Sequence, residues 1–182
     1  MKLIILSDTH LKTGEIPGQL QTLLEDCDLI VHAGDFSTVE AYRAFNASGK
    51  LKAVSGNDDS PELRKLLPER LKFEVEGVRI GVVHEAGLSV MDTTAQGYLA
   101  KEMEVDVLIF GHLHRPIIER KDVMLVCPGS PTKPRMSNPG VVELIIEKGS
   151  IEGRIITLEG DSCGYIKFRD ALKRQKEEEG HK

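Results

Sequence analysis

The chain has 182 residues, 40% of them hydrophobic and 29% charged, with a formal net charge of −5. That length suits one ordinary domain with a real core, and the acidic balance argues against broad electrostatic binding of nucleic acid, though not against a nucleotide held by metals. Trp is absent and aromatic residues make up only 4%, so the core should be aliphatic.

In chain order, residues 2–7 (KLIILS) are a continuous apolar run that suits a buried strand. Residues 17–26 read as a helix with Pro17 near its first turn, and 28–32 as a second strand. Thr38 to Ser48 carry helical spacing that Gly49 stops. Residues 51–54 are a short third strand. Ser60 caps and Pro61 opens a helix to about Leu67. Residues 71–76 and 78–83 straddle Gly77 as a hairpin. A helix over 93–103 and a buried strand over 105–110 follow. Residues 116–120, 122–127, 140–147 and 151–158 then read as consecutive short strands, which usually pair antiparallel.

A βαβαβ first half and a mostly β second half predict two packed mixed sheets with helices outside, an α/β, four-layer αββα sandwich. The domain is expected over residues 1–160. Residues 161–182, ending in KRQKEEEGHK, are expected as a charged helical extension, with His181 inert.

Cys27, Cys127 and Cys163 are too few and too widely spaced for a disulfide framework or a zinc ribbon. Reduced thiols in a cytosol are the plain reading. The N-terminal apolar run is too short for a signal peptide, and nothing approaches the ~18 apolar residues of a membrane helix. A cytoplasmic protein with no membrane partner is expected.

Metal-binding residue types gather at the ends of the expected strands. These are Asp8-Thr9-His10, Gly34-Asp35, Gly56-Asn57-Asp58-Asp59, His84, and Gly111-His112-Leu113-His114. Ligands of layered α/β folds sit beyond the carboxyl ends of strands. In extended chain, Asp8 and His10 would point the same way, as would His112 and His114. Each piece alone is weak: a lone Asp-x-His is more often a turn, and Gly-Asp alone says almost nothing. Their agreement at successive strand ends carries the reading. Mixed carboxylate and imidazole donors suit Mn, Fe, Zn or Co better than Ca or Mg.

In this order the motifs resemble the calcineurin-like metallophosphoesterase superfamily, and the short spacing resembles its small prokaryotic phosphodiesterases, akin to the retromer subunit of the same fold. Ser7, His32-Ala33-Gly34-Asp35 and Cys127-Pro128-Gly129-Ser130 add to the likeness. It spans residues 1 to about 158. The resemblance implies two divalent metal ions per chain, manganese first, with Ni, Fe, Co, Zn or Mg as alternatives. Asp8, His10, Asp35 and His114 would hold one ion, and Asp35, Asn57, His84 and His112 the other, with Asp35 bridging. It implies a phosphoesterase, a phosphodiesterase in the first place, in which hydroxide between the metals attacks phosphorus in line. Asp35, Asn57, Asp58 and His84 would take part in catalysis on a small, nucleotide-like phosphoester.

Two positions depart from the family pattern. Asp58 stands where many members carry a histidine that protonates the leaving group. An ionised carboxylate beside two cations is a poor acid, so esters with acidic leaving groups are the expected substrates. Asp59 then fills the family's acidic position. Glu85 follows His84 where small members often have Gly, and is read as a solvated loop residue or a wall of the cleft. His32 reads as a buried, hydrogen-bonded histidine behind the site, Cys127 as a packed thiol, and Lys133 and Arg135 as cations near a rigid Pro-rich loop. A phosphomonoesterase and a non-catalytic metal-binding scaffold are the alternative readings. The residues fix no oligomeric state, though a surface strand or the tail could support a homodimer.

Overall fold

A computed structural model describes residues 1–87 and 92–179. In chain order the elements are β1 (Lys2–Leu6), α1 (Gly18–Glu25), β2 (Leu29–His32), α2 (Val39–Asn46), β3 (Leu51–Ala53), α3 (Pro61–Leu66), β4 (Arg70–Val75), β5 (Val78–Val83), α4 (Thr94–Glu102), β6 (Val107–Phe110), β7 (Pro116–Arg120), β8 (Met124–Pro128), β9 (Gly140–Glu147), β10 (Ser150–Thr157) and α5 (Gly164–Glu179). His181 lies outside the described residues.

Local chemistry sets several boundaries. The Thr38 hydroxyl accepts from Ala41 N at 3.2 Å and starts α2, and Ser60 accepts from Leu63 N at 3.3 Å and starts α3, with Pro61 at its first position. Glu76 and Gly77, at φ 49° and 80°, join β4 to β5 in the two-residue turn that matches strand twist.

The strands form two five-stranded sheets, ordered β10-β9-β1-β2-β3 and β4-β5-β6-β8-β7. The N-terminal apolar run is explained by two buried faces. Leu3 and Ile5 face the second sheet, packing with Ile80, Val82, Val107 and Ile109. Ile4 and Leu6 point the other way, onto Leu20 and Leu24 of α1 and Phe45 of α2. On the far side of the second sheet, Leu108, Phe110 and Leu125 pack on Ala100 of α4. This is the expected order of layers, helix–sheet–sheet–helix. Burial of each such aliphatic side chain contributes about 1.5–3 kcal/mol.

The last strands differ from a simple run of antiparallel neighbours. β7–β8 and β9–β10 do pair antiparallel, but β8 also lies parallel to β6, while β9 crosses to the first sheet and pairs antiparallel with β1. The Pro-rich stretch 129–139 carries the chain from one sheet to the other. Both β8 and the first half of β9 are buried along their length, as suits strands with a neighbour on each edge.

β1, β2 and β3 run parallel, and so do β5, β6 and β8. The loops that leave β1, β2, β3, β5 and β6 meet in space and build the site.

Candidate metal centre

Two groups of donor atoms converge beyond these strand ends. In the first, His114 Nε2 lies 3.1 Å from Asp8 Oδ1 and 3.3 Å from His10 Nε2, and His10 Nε2 lies 3.7 Å from Asp35 Oδ2. In the second, His84 Nε2 lies 3.3 Å from Asp35 Oδ2 and 3.0 Å from Asn57 Oδ1, and His112 Nδ1 lies 2.9 Å from the same Asn57 oxygen. Asp35 Oδ2 belongs to both groups. The fold therefore brings the residues expected as ligands to one place, with Asp35 Oδ2 near both groups. Asp8, His10 and His114 could hold one ion, as could Asp8, Asp35 and His84, since their donor atoms lie within 4.8 Å of one another.

The surrounding hydrogen bonds decide which ring nitrogens face inward. His84 Nδ1 donates to Ala33 O at 2.7 Å, His114 Nδ1 to Lys133 O at 2.6 Å, and His10 Nδ1 to Asp58 Oδ2 at 2.8 Å. A ring so held turns Nε2 to the centre, where the neutral form presents a lone pair; a protonated His84 would instead donate to Asp35. His10 and His114 meet lone pair to lone pair, and His84 faces two oxygens. Asp8 is fully buried, and its Oδ1 has no hydrogen-bond donor. Buried acceptors facing one another without a donor are costly. Cations between them resolve both conflicts, so the residues fit divalent metal ions.

Charges in the site are coupled. Burial pushes the Asp35 carboxyl up, but the His84 hydrogen bond and charge, with the Asp58 N–H and His10, outweigh it and the net shift is down. Burial pushes His84 down, and Asp35 and Asp8 more than reverse it.

The expected extended geometry is not what aligns the paired motifs. Asp8, His10, Asp35, His112 and His114 have φ of 54°, 44°, 63°, 70° and 53°. Left-handed single residues are tolerated best by Asp, Asn and His, and their clustering here is the strain expected of a functional loop set. Two glycines allow the loops to close. At Gly34, with φ 88°, a Cβ would lie 2.7 Å from His84 Nδ1; at Gly56 it would lie 2.5 Å from Asp35 N.

Several residues brace the ligands, among them Asp59, expected at the family's acidic position. Asp59, buried, accepts from Gly56 N at 2.7 Å, Ser37 N at 2.8 Å and Asp35 N at 3.2 Å. Burial pushes its carboxyl up, with these donors in part opposing. Asp8 Oδ2 accepts from Ser7 Oγ at 2.5 Å and His112 N at 3.0 Å. Ser130 Oγ donates to Asp8 O at 2.7 Å and Thr132 Oγ1 to Thr9 O at 2.6 Å. The Pro-rich loop thus supports the site through hydroxyls and main chain: Lys133 gives its carbonyl to His114, and Arg135 N donates to His114 O at 2.9 Å. Ser7 and Cys127-Pro128-Gly129-Ser130, part of the family likeness, were the sequence signal for this, while Thr132 carried none.

His32 lies behind the ligands, 3.0 Å from Thr9 Oγ1 and stacked 3.5 Å from Phe36. Cys127 is buried. Glu85 is exposed and lines a cleft of about 370 Å³ with Arg64, Glu69, Arg70, Asn57 and His84. No helix among the described residues is long and apolar enough to cross a membrane.

Residues 1–149 match the model of the calcineurin-like phosphoesterase superfamily domain. A probable metallophosphoesterase of Methanothermobacter thermautotrophicus is 35% identical over 168 residues, 91% of this chain and 97% of the relative. A phosphodiesterase of Methanocaldococcus jannaschii is 24% identical over 143 residues, 71% of this chain and 83% of the relative. Vps29 of Chaetomium thermophilum shares the fold at a TM-score of 0.76 and 21% identity, over 88% of this chain and 90% of that one. The chain belongs to the calcineurin-like phosphoesterase superfamily.

Proposed function

We propose that this protein is a phosphodiesterase working with two divalent metal ions. Asp8, His10, Asp35 and His114 hold the first, and Asp35, Asn57, His84 and His112 the second. One observation carries this reading: Asp35 Oδ2 sits between two sets of inward-facing donors whose ring Nδ1 atoms, at His10, His84 and His114, are already committed to outer acceptors. Manganese is the ion proposed first, from the mixed carboxylate and imidazole set. Bound there, divalent cations acidify water and offset the charge that develops on a phosphoryl oxygen.

The chain's own residues do the rest. Asp35 is kept anionic by His84 and the Asp58 N–H, so it can serve both sets. Asp59 fixes the loops of Asp35 and Asn57 relative to each other. Asp58 is turned toward His10, and its carboxylate supplies no proton to a departing alkoxide. Esters with acidic alcohols, which leave as stable anions, are therefore the substrates we propose. The diester preference is supported by the name of the Methanocaldococcus relative. A cytoplasmic enzyme acting on a small phosphoester is the corresponding cellular reading.

The test is hydrolysis of bis-p-nitrophenyl phosphate and p-nitrophenyl phosphate by the metal-free protein after addition of Mn, Ni, Co, Zn or Mg, beside Asp35→Asn. Metal-dependent cleavage that favours the diester and is lost in the variant supports the proposal. Cleavage of the monoester alone would make this a phosphatase, and no cleavage despite bound ions would make it a metal-binding scaffold.

A further inference from the structure

His10 differs from the two other locked histidines in what holds it. His84 and His114 give their Nδ1–H to main-chain carbonyls, of Ala33 and Lys133. His10 gives its own to a side chain, Asp58 Oδ2, at 2.8 Å. The His10 side chain is only 7% exposed, while that of Asp58 is 59% exposed. Among the described residues the other acceptor near His10 Nδ1 is Ser37 Oγ, at 3.4 Å, the long edge of a hydrogen bond. Asp58 is fixed at its other end too: its N–H donates to Asp35 Oδ1 at 2.8 Å. One residue thus ties the orientation of His10 to the carboxylate shared by both donor sets.

We propose that Asp58 is a positioning residue for the first metal, holding the His10 ring by Nδ1–H so that Nε2 faces the ion, and that it is not a proton donor to the leaving group. The metal arm of this inference rests on the two-metal reading above; the ring-orientation arm does not. A carboxylate–imidazole pair fixes the tautomer and the ring plane. Without it, His10 can carry its proton on Nε2 or rotate, and either change removes the inward lone pair. His10 stacks on His114 at 5.0 Å between centroids, and that contact alone does not choose between the two ring edges.

The experiment compares wild type, Asp58→Ala and Asp58→Asn. Imidazole ¹⁵N spectra of the metal-free proteins give the His10 tautomer, assigned with His10→Gln. Competition titrations with Mn²⁺ and Co²⁺ give both affinities. We expect the Nδ1–H form of His10 in wild type and its loss in Asp58→Ala. One of the two ions should bind roughly 10–100-fold more weakly, the other as before. Asp58→Asn, which keeps an acceptor oxygen, should recover part of both signals. Melting of the metal-free protein should not change. Across aryl diesters of rising leaving-group pKa, the rate loss in Asp58→Ala should stay constant, whereas loss of a proton donor would make it grow. An unchanged His10 tautomer with both affinities intact would overturn the proposal, as would equal weakening of both ions with a lowered melting temperature. If wild type binds no ion, the two-metal reading fails by itself, and the tautomer comparison still decides the role of Asp58 in orienting His10.

Discussion

Gly56→Ala asks whether the site depends on contact between the loops after β2 and β3. The substituted Cβ would lie 2.5 Å from Asp35 N and 2.8 Å from Asp35 Cγ, where ordinary contact begins at 3.4 Å. Asp35 Oδ1, nearer still, must move, and the two main chains must separate by about 0.5–0.9 Å, the gap between 2.5 Å and contacts of 3.0–3.4 Å. That movement pulls apart the N–H groups of Gly56 and Asp35, which share Asp59 Oδ2 at 2.7 and 3.2 Å. A displacement of about 1 Å in a positioned group costs on the order of 10²-fold in rate. Leaving the buried Asp59 carboxylate short of one donor costs about 1–3 kcal/mol, or roughly 2–12 °C of melting temperature in a chain of this size. The assay is metal content after gel filtration together with Mn-dependent hydrolysis of bis-p-nitrophenyl phosphate, beside a circular-dichroism melt. The variant should fold, retain less metal and turn over at least about 10²-fold more slowly. Full metal content and a wild-type rate would refute the close-contact reasoning.

The remaining predictions concern groups outside the ligand sets. Burial holds the His32 imidazole well below its ordinary value, so the unfolded chain takes up a proton that the folded one refuses. Its contribution is fully present above pH ~6.5 and is lost as pH falls toward the folded value, at about 1.4 kcal/mol per pH unit. Urea midpoints between pH 7.5 and 5 should therefore fall less steeply in His32→Gln; parallel slopes would count against it. The thiols should separate in a dithionitrobenzoate titration at pH 7.5. Burial pushes Cys127 up to about 12 and also raises Cys27, so both should react only on unfolding. At Cys163, burial is outweighed by main-chain N–H donors including that of Ile166, and the net shift is down; it should react first. Glu143 is buried and its carboxyl is held low by the Arg154 hydrogen bond at 2.6 Å. Because Arg154 is 70% exposed, Glu143→Gln should cost only about 1 kcal/mol at pH 7. Its deficit should shrink only as pH falls below the ordinary glutamate value and through the lowered folded one, where wild-type Glu143 takes up a proton; a deficit that stays constant from pH 7 to the acid limit of folding would argue for packing instead.

Much of this was legible in the residues because it is local. Apolar runs such as KLIIL mark strands buried on both faces, Thr38 and Ser60 mark helix starts, and Gly34 and Gly56 stand where loops must approach closely. The ligand types were legible because Asp, Asn and His, common donors to divalent metals, recur at successive strand ends. What sequence did not show is non-local. Nothing in residues 124–128 says that they lie parallel to β6, or in 140–147 that they cross to β1, since pairing partners are fixed by the whole core and not by the strand itself. The left-handed backbone at Asp8 and His10 was hidden for the same reason. An Asp-x-His looks extended until Gly34 O and Asp35 O draw in the N–H groups of Asp8 and His10, each at 3.0 Å. The turn of Asp58 toward His10 depends on two loops 48 residues apart.

The central claim is that Asp35 joins two ion sites, and manganese-edge anomalous diffraction from crystals grown with Mn²⁺ tests it most directly. The account predicts two peaks, one among Asp8, His10, Asp35 and His114 and one among Asp35, Asn57, His84 and His112, with an Asp35 oxygen touching both. No peak within these residues, or a single ion that leaves Asn57, His84 and His112 unligated, would contradict it.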